Sequence, residues 1–210
     1  TKTLKLGTGV LVLPQRQLVT TAKQIATLDQ MSSGRVLLGV GVGWMPEEFR
    51  ALGVPFERRG KRTDEYIEAM RELWTADLPT YHGKFVSFEG VHCRPRPANG
   101  SVPIIIGGHS KAAAKRAGQL GDGFFPAREF VHELGDLVRR TAEDAGRDPA
   151  SIEIVTNMPE DPDEMAPLAA QGVTRMMVPV VGLAGVKDRG IDGPEDLLKW
   201  RETIERYADL

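Results

Sequence analysis

Six short apolar runs alternate with helical stretches along the whole chain, and few folds accommodate that rhythm. The runs are Lys5 to Val12, Val36 to Val40, Pro103 to Ile106, Gly121 to Pro126, Ile152 to Val155 and Met176 to Val181. Each is short and bounded by turn residues, as buried strands are. The helices between them carry stripes or end signals. Leu18, Ala22, Ile25 and Leu28 mark one, and Tyr66, Ile67, Met70, Leu73 and Trp74 mark another, from Arg59 to Thr75. Lys111 to Leu120 and Glu129 to Gly146 follow. Asp161-Pro162 opens the next with a cap and a first-turn proline, and Gly172 closes it. Leu197, Trp200, Ile204 and Tyr207 mark the last. Strand, helix, strand with tight connections implies right-handed crossovers and parallel strands. The expected class is α/β, and the pattern alone allows an open doubly wound sheet or a barrel.

The second run has the most unusual sequence. Val36 to Val40 is apolar, then glycines stand at 39, 41 and 43, and Pro46-Glu47-Glu48 opens a helix. Proline suits a first helical position, and acids suit the first turn. A strand thus ends in a glycine-lined mouth, the end where α/β proteins hold ligands. A dinucleotide fingerprint fails, because the third glycine would fall on Trp44 or on Pro46. Gly7, Thr8 and Gly9 inside the first run predict a bulge or a close ligand approach. Residues 76–103 break the alternation. Prolines and glycines punctuate them, and Phe85 to Phe88 is their one strand-like piece. They read as an excursion over the mouth of the sheet, within a single domain spanning 1–210.

Composition excludes several classes. The 210 residues suffice for one full core, with 41% hydrophobic and 27% charged residues. A net charge of −2 gives no reason to expect nucleic acid or an anionic membrane as partner. No apolar run reaches the length of a membrane span. The lone cysteine, Cys93, cannot form an internal disulfide, which fits a reducing cytoplasm. His132-Glu133 starts like a zinc motif, but Asp136 stands where the second histidine belongs, so no metal is expected.

Several segments in order resemble the luciferase-like monooxygenase family. They are Leu6-Gly7-Thr8-Gly9-Val10, Ala26-Thr27-Leu28-Asp29, Ser33-Gly34-Arg35, Gly39 to Trp44 and Gly107-Gly108-His109-Ser110. Arg116-Ala117-Gly118 and Gly121-Asp122-Gly123-Phe124 belong to the same set. The nearest subgroup resembles the coenzyme F420-dependent oxidoreductases. The resemblance implies a TIM (β/α)8-type barrel with a flavin or deazaflavin at the C-terminal ends of its strands. Family members carry two further strand–helix units before the strand matching Leu6. The chain would then supply six strands of eight, lacking the first two units. Either the N-terminal part is missing from this sequence, or the barrel is open and its edges need covering, as by the second subunit of a homodimer.

The resemblance also implies a site. The tricyclic ring would pack against the bulge at Thr8, Gly9 and Val10, often formed with a non-proline cis peptide. The phosphate of the cofactor tail would lie at Gly107, Gly108, His109 and Ser110, where a helix start exposes N–H groups to anions. Gly43, Phe125 and Pro126 would border the same cofactor. Glu47 and His109 are the candidate catalytic groups, Glu47 as an acid and His109 as a donor to phosphate or substrate. The basic run Arg58, Arg59, Lys61 and Arg62 reads either as a solvated face or as a contact for the acidic tail of F420. Trp44 stands where related deazaflavin dehydrogenases hold an acid, which argues against a sugar-phosphate role. Three functions follow: hydride transfer between F420 and a small organic substrate, an FMN-dependent monooxygenase, or a degenerate non-catalytic barrel.

Overall fold

The computed structural model describes residues 2–126, 130–159 and 161–177 and four single positions, 195, 198, 201 and 205. The expected continuation of the last strand to Val181, and the helix marked by Leu197 to Tyr207, lie outside them.

The first run forms two short strands, β1 (Leu6–Gly7) and β2 (Leu11–Val12), interrupted at Thr8 to Val10. Both pair in parallel with β3 (Val36–Gly41), so they are two halves of one bulged strand. Between them and β3 lies α1 (Leu18–Ser32). Its buried residues are Leu18, Thr21, Ala22, Ile25, Ala26, Asp29 and Ser32, one stripe at helical spacing. Leu28 falls about a quarter-turn off that stripe and is 52% exposed, contrary to the expected face. Ser33 and Gly34 both take positive φ (58° and 78°) and end the helix. Their N–H groups donate to Gln30 and Asp29 carbonyls.

After β3 come two helices, α2 (Pro46–Ala51) and α3 (Arg59–Thr75). The excursion then forms a hairpin from β4 (Tyr81–His82) and β5 (Ser87–Phe88), paired antiparallel. The alternation resumes with β6 (Ile104–Gly107), α4 (Lys111–Leu120), β7 (Gly123–Phe125), α5 (His132–Asp144), β8 (Glu153–Asn157), α6 (Met165–Ala170) and β9 (Arg175–Met177). The sheet runs β1/β2–β3–β6–β7–β8–β9, every pair parallel and in chain order. It is a curled, partial barrel with its helices outside. Leu38, Val40, Ile104, Ile106, Phe124 and Ile154 face those helices and are fully buried. Trp74 lies in the same layer and donates its indole N–H to the Ala22 carbonyl at 3.0 Å.

The excursion does not cross the mouth. Its contacts are with the outer flank of α3 and the end of α1. Glu72 accepts from Thr80 N–H, Glu68 from the Tyr81 hydroxyl, and Glu65 from Lys84, Phe85 and Val86 N–H. Arg96 then donates to the Ala76 carbonyl and Asp77, and Ala98 N–H to Asp29. Three acids spaced along one helix face give this segment acceptors that a mouth lined by glycines does not have.

Candidate active site

The bulge explains the glycines of β3. Thr8 Oγ1 donates to the Gly39 carbonyl at 2.7 Å, and a Cβ on Gly39 would collide with the Thr8 carbonyl oxygen. A Cβ on Gly41 would stand 2.8 Å from Val10 Cγ2, and one on Gly107 2.7 Å from Val10 Cγ1. The missing side chains of β3 and β6 therefore form a slot that the Val10 side chain fills. The Gly9–Val10 peptide is cis. Glycine is used here to admit another part of the chain, with the bulge itself left facing the mouth.

Gly43 serves a different purpose. It has φ 75°, and a Cβ there would meet the Phe49 ring and Val12. Its carbonyl accepts from Arg59 Nε at 2.9 Å, and the Arg59 guanidinium lies 3.8 Å over the Phe56 ring. Phe56 meets buried Phe49 edge-on at 5.2 Å. So Arg59 is committed to the turn. Arg62 is also committed: it is buried, donates to the Pro55 carbonyl at 2.7 Å and lies 5.1 Å over the Phe85 ring. Two of the four basic residues, Arg59 and Arg62, thus clamp the loop after α2, which corrects the reading of a solvated face for those two. Arg58 and Lys61 are exposed. Glu47 stands exposed in the first turn of α2, beyond the cavity described below.

Gly107 to Ser110 forms the turn from β6 into α4. Gly108 has φ 142° and donates to the Phe125 carbonyl at 3.0 Å. Ser110 caps the helix, its hydroxyl accepting from Ala113 N–H at 3.2 Å. The N–H groups of Lys111 and Ala112 have no partner among the described residues, as is usual in a first helical turn. His109 is exposed beside them, while Pro126, at the end of β7, is buried.

On the concave face of the sheet lies a cavity of about 210 Å³. Thr8, Gly9, Val10 and Phe125 line it, so four of the sequence-derived cofactor residues meet there. Gly43, Gly107, Gly108, His109, Ser110 and Pro126 do not line it. Gly7 and Gly39, singled out as glycines inside strands, also line it; Lys5, Leu37, Ile105, Val155, Arg175 and Met177, which complete the described wall, were not singled out from sequence. The available signal was alternation. Lys5, Gly7 and Gly9 are two apart, as are Leu37 and Gly39, and Arg175 and Met177.

Among known proteins, a family model described as luciferase-like monooxygenase matches residues 1–160. The chain belongs to that family. An uncharacterized protein of Mycobacterium tuberculosis is 34% identical over 195 residues, covering 91% of this chain and 67% of the relative. The FMNH(2)-dependent dimethylsulfone monooxygenase of Pseudomonas putida is 31% identical over 199 residues, covering 90% of this chain and 54% of that enzyme. In fold, the chain is similar to the coenzyme F420-dependent tetrahydromethanopterin reductase of Methanopyrus kandleri. There the TM-score is 0.65 at 25% identity, over 76% of this chain and 52% of that one. The chain thus spans between about half and two thirds of the length of these proteins.

Several segments that carry the luciferase-like resemblance hold the scaffold and do not reach the cavity. Asp29, buried, accepts from Val36 N–H (3.2 Å) and Ala98 N–H (2.9 Å), tying α1 to β3 and to the excursion. Asp122 accepts from Ile104 N–H and from Arg71, both at 2.9 Å, with Arg147 at 3.6 Å. Burial pulls the Arg147 guanidinium below its ordinary pKa, against the opposing pull of Asp122. Arg116 pairs with Asp64 and donates to the Gly60 carbonyl. A Cβ on Gly118 would stand 2.8 Å from the Thr141 side chain and 2.9 Å from Ala142 N, which is what lets α4 and α5 pack closely.

Proposed function

We propose that this chain is the cofactor-binding part of an oxidoreductase that transfers a hydride between coenzyme F420 and a small organic substrate. One observation supports the reading: the bulge Thr8-Gly9-Val10, seated in the Gly39/Gly41/Gly107 slot, faces a largely apolar cavity on the concave face of a parallel sheet. Such a floor suits a flat ring, which needs apolar walls and a few placed polar groups. A bound deazaflavin or flavin would supply the redox chemistry itself.

The chain's own residues have the supporting roles. Val10 and Phe125 offer the walls, and the Val10 side chain cannot retreat without a new slot. The Thr8 hydroxyl, fixed on Gly39, keeps the bulge in place. The N–H groups of Lys111 and Ala112, without partners among the described residues, and exposed Lys111 and Lys115 would suit a phosphate. His109, exposed at the same turn, would donate to that phosphate. Glu47 lies outside the cavity as the chain stands, so a role for it as an acid requires a ligand that extends over α2.

The likeness to the Pseudomonas putida enzyme favours a second reading, an FMN-dependent monooxygenase of the same fold. Fluorescence-quenching titrations of the full chain with F420 and with FMN, at low and raised salt, separate the two. F420 is expected to bind more tightly, with the gap narrowing as salt screens its acidic tail. Neutral replacements at Arg58 and Lys61 should narrow it too; Arg59 and Arg62 are left intact because they hold the loop. Equal, salt-independent affinities favour FMN, and no binding of either favours a degenerate, non-catalytic barrel.

A further inference from the structure

The start of α3 is unlike an ordinary helix N-terminus. Its N-cap is Arg58, at φ 61°, and no side chain caps the helix. The first turn holds no acid. Arg58, Arg59, Lys61 and Arg62 stand there instead, at the positive end of the helix dipole, where cations are disfavoured. Arg62 N–H donates to the Arg58 carbonyl at 2.9 Å. The N–H groups of Gly60 and Lys61 have no partner among the described residues.

A second observation points to the same place. Arg62 is only 7% exposed, yet no carboxylate pairs with it among the described residues. Its Nη1 donates to the Pro55 carbonyl at 2.7 Å, in the loop that leads into α3, so the buried guanidinium is aimed back at the helix start. A buried charge without a counter-ion is costly, and the Phe85 face offsets only part of that cost. The Arg58 and Arg62 guanidiniums lie 5.9 and 5.1 Å from the centre of that one ring, which holds two like charges close together. The nearby acids do not neutralise them. Asp64 pairs with Arg116, and Glu65 accepts from three N–H groups of the hairpin. Glu57 is exposed and in no ion pair among the described residues.

We propose that the start of α3 is a binding site for an oxyanion, the phosphate or carboxylate group of a small ligand. The N–H groups of Gly60 and Lys61 would hold it from the helix, as helix starts hold anions. The Arg58 and Arg62 side chains would add charge-assisted hydrogen bonds. An anion there compensates the four cations and the empty cap together. None of these residues lines the concave cavity, so the site is separate from the cofactor walls. The oxyanion has two possible sources. It is either the acidic tail of a deazaflavin whose ring occupies the cavity, or a group on a separate anionic metabolite.

Amide-resolved NMR titration of the full chain with inorganic phosphate, at ionic strength held constant with sodium chloride, tests the site. The Gly60 and Lys61 amides are expected to shift and saturate. Arg58→Gln should weaken that response about tenfold, roughly what one charge-assisted hydrogen bond is worth. Any response at Lys111 and Ala112, at the start of α4, should stay as it is in the parent. Lys61→Glu puts a carboxylate into the first turn in place of the anion. It should abolish the phosphate response at Gly60 and raise the urea midpoint of the phosphate-free chain. Two further titrations identify the source. If F420 shifts the Gly60 and Lys61 amides and a deazaflavin lacking the phosphate and glutamates does not, the occupant is the tail. If F420 leaves those amides unmoved while phosphate moves them, the occupant is a separate metabolite. No shift at Gly60 and Lys61 with phosphate would overturn the proposal, as would a shift that Arg58→Gln leaves unaltered. Phosphate alone is the probe, so that failure leaves the proposed cofactor reading standing, and failure of both cofactors to bind leaves this site standing.

Discussion

A Cβ on Gly107 would lie 2.7 Å from Val10 Cγ1, so a glycine on β6 is fixed by a side chain two strands away in the sheet. Gly107→Ala should push Val10 out of its slot, lower stability by about 1–3 kcal/mol and weaken cofactor binding. Val10→Ala should cost stability alone yet relieve the Gly107→Ala loss, giving a coupling that a double-mutant cycle in urea would read. Gly39→Ala should be worse than either, since its Cβ meets the Thr8 backbone and not a movable side-chain tip. Additive Val10 and Gly107 effects would contradict the slot.

Asp29 joins three segments through one buried carboxylate. Asp29→Ala leaves two N–H groups without acceptors and should cost about 3 kcal/mol in denaturant unfolding. Asp29→Asn keeps one acceptor oxygen and should cost less. A loss equal for the two variants would mean that the charge, and not the acceptor count, holds the junction.

The hairpin hangs on Glu65, whose oxygens accept from Phe85, Val86 and Lys84 N–H at 2.6, 2.7 and 2.9 Å. Glu65→Ala should raise hydrogen exchange at those three amides at least about tenfold, as local opening becomes cheaper by the worth of one or more hydrogen bonds. Protection of the β3 and β6 amides should not change, because the excursion lies outside the barrel. Uniform loss of protection would mean that the hairpin is part of the core.

Alkaline stability should depend on Tyr81. Burial and the hydrogen bond to Glu68 raise its pKa far above the ordinary tyrosine value. The unfolded chain ionises at that ordinary value, so the contribution of Tyr81 is fully present below about pH 10 and falls as pH rises above it. Tyr81→Phe should flatten the decline above about pH 10 in denaturant titrations. Buried Cys93, whose thiol is also raised, contributes with the same sign from a lower starting pH. An unchanged slope in Tyr81→Phe would show that the phenol stays protonated for no longer in the fold than out of it.

How much of the site was legible follows from these contacts. The strands and their parallel order were readable because each run had to bury both faces or pack on helices, and that need is written in local hydrophobicity. The bulge at Thr8 to Val10 was readable from glycines inside a strand. The turn at Asp161 was readable from its cap, which accepts from Asp163 N–H. Glu47 and His109 looked like site residues by type and position, but lie outside the cavity.

What the tertiary structure decided is which side chain meets which across the sheet. Nothing local pairs Val10 with Gly107 or Glu153 with Arg175; those depend on strand register and on the curl of the sheet. Nor could the basic run reveal that Arg59 and Arg62 clamp a loop, since the Gly43 carbonyl and the Phe85 ring come from distant parts of the chain. Residues 76–103 carried no sign of where they would dock. Three acids on α3 settled that, because a carboxylate held on a helix flank satisfies backbone N–H groups that a glycine mouth leaves bare. Local burial and backbone freedom are properties of a sequence window, so the sequence alone determined the elements and their order. Contacts between windows depend on the closed sheet, so only the fold decided the site.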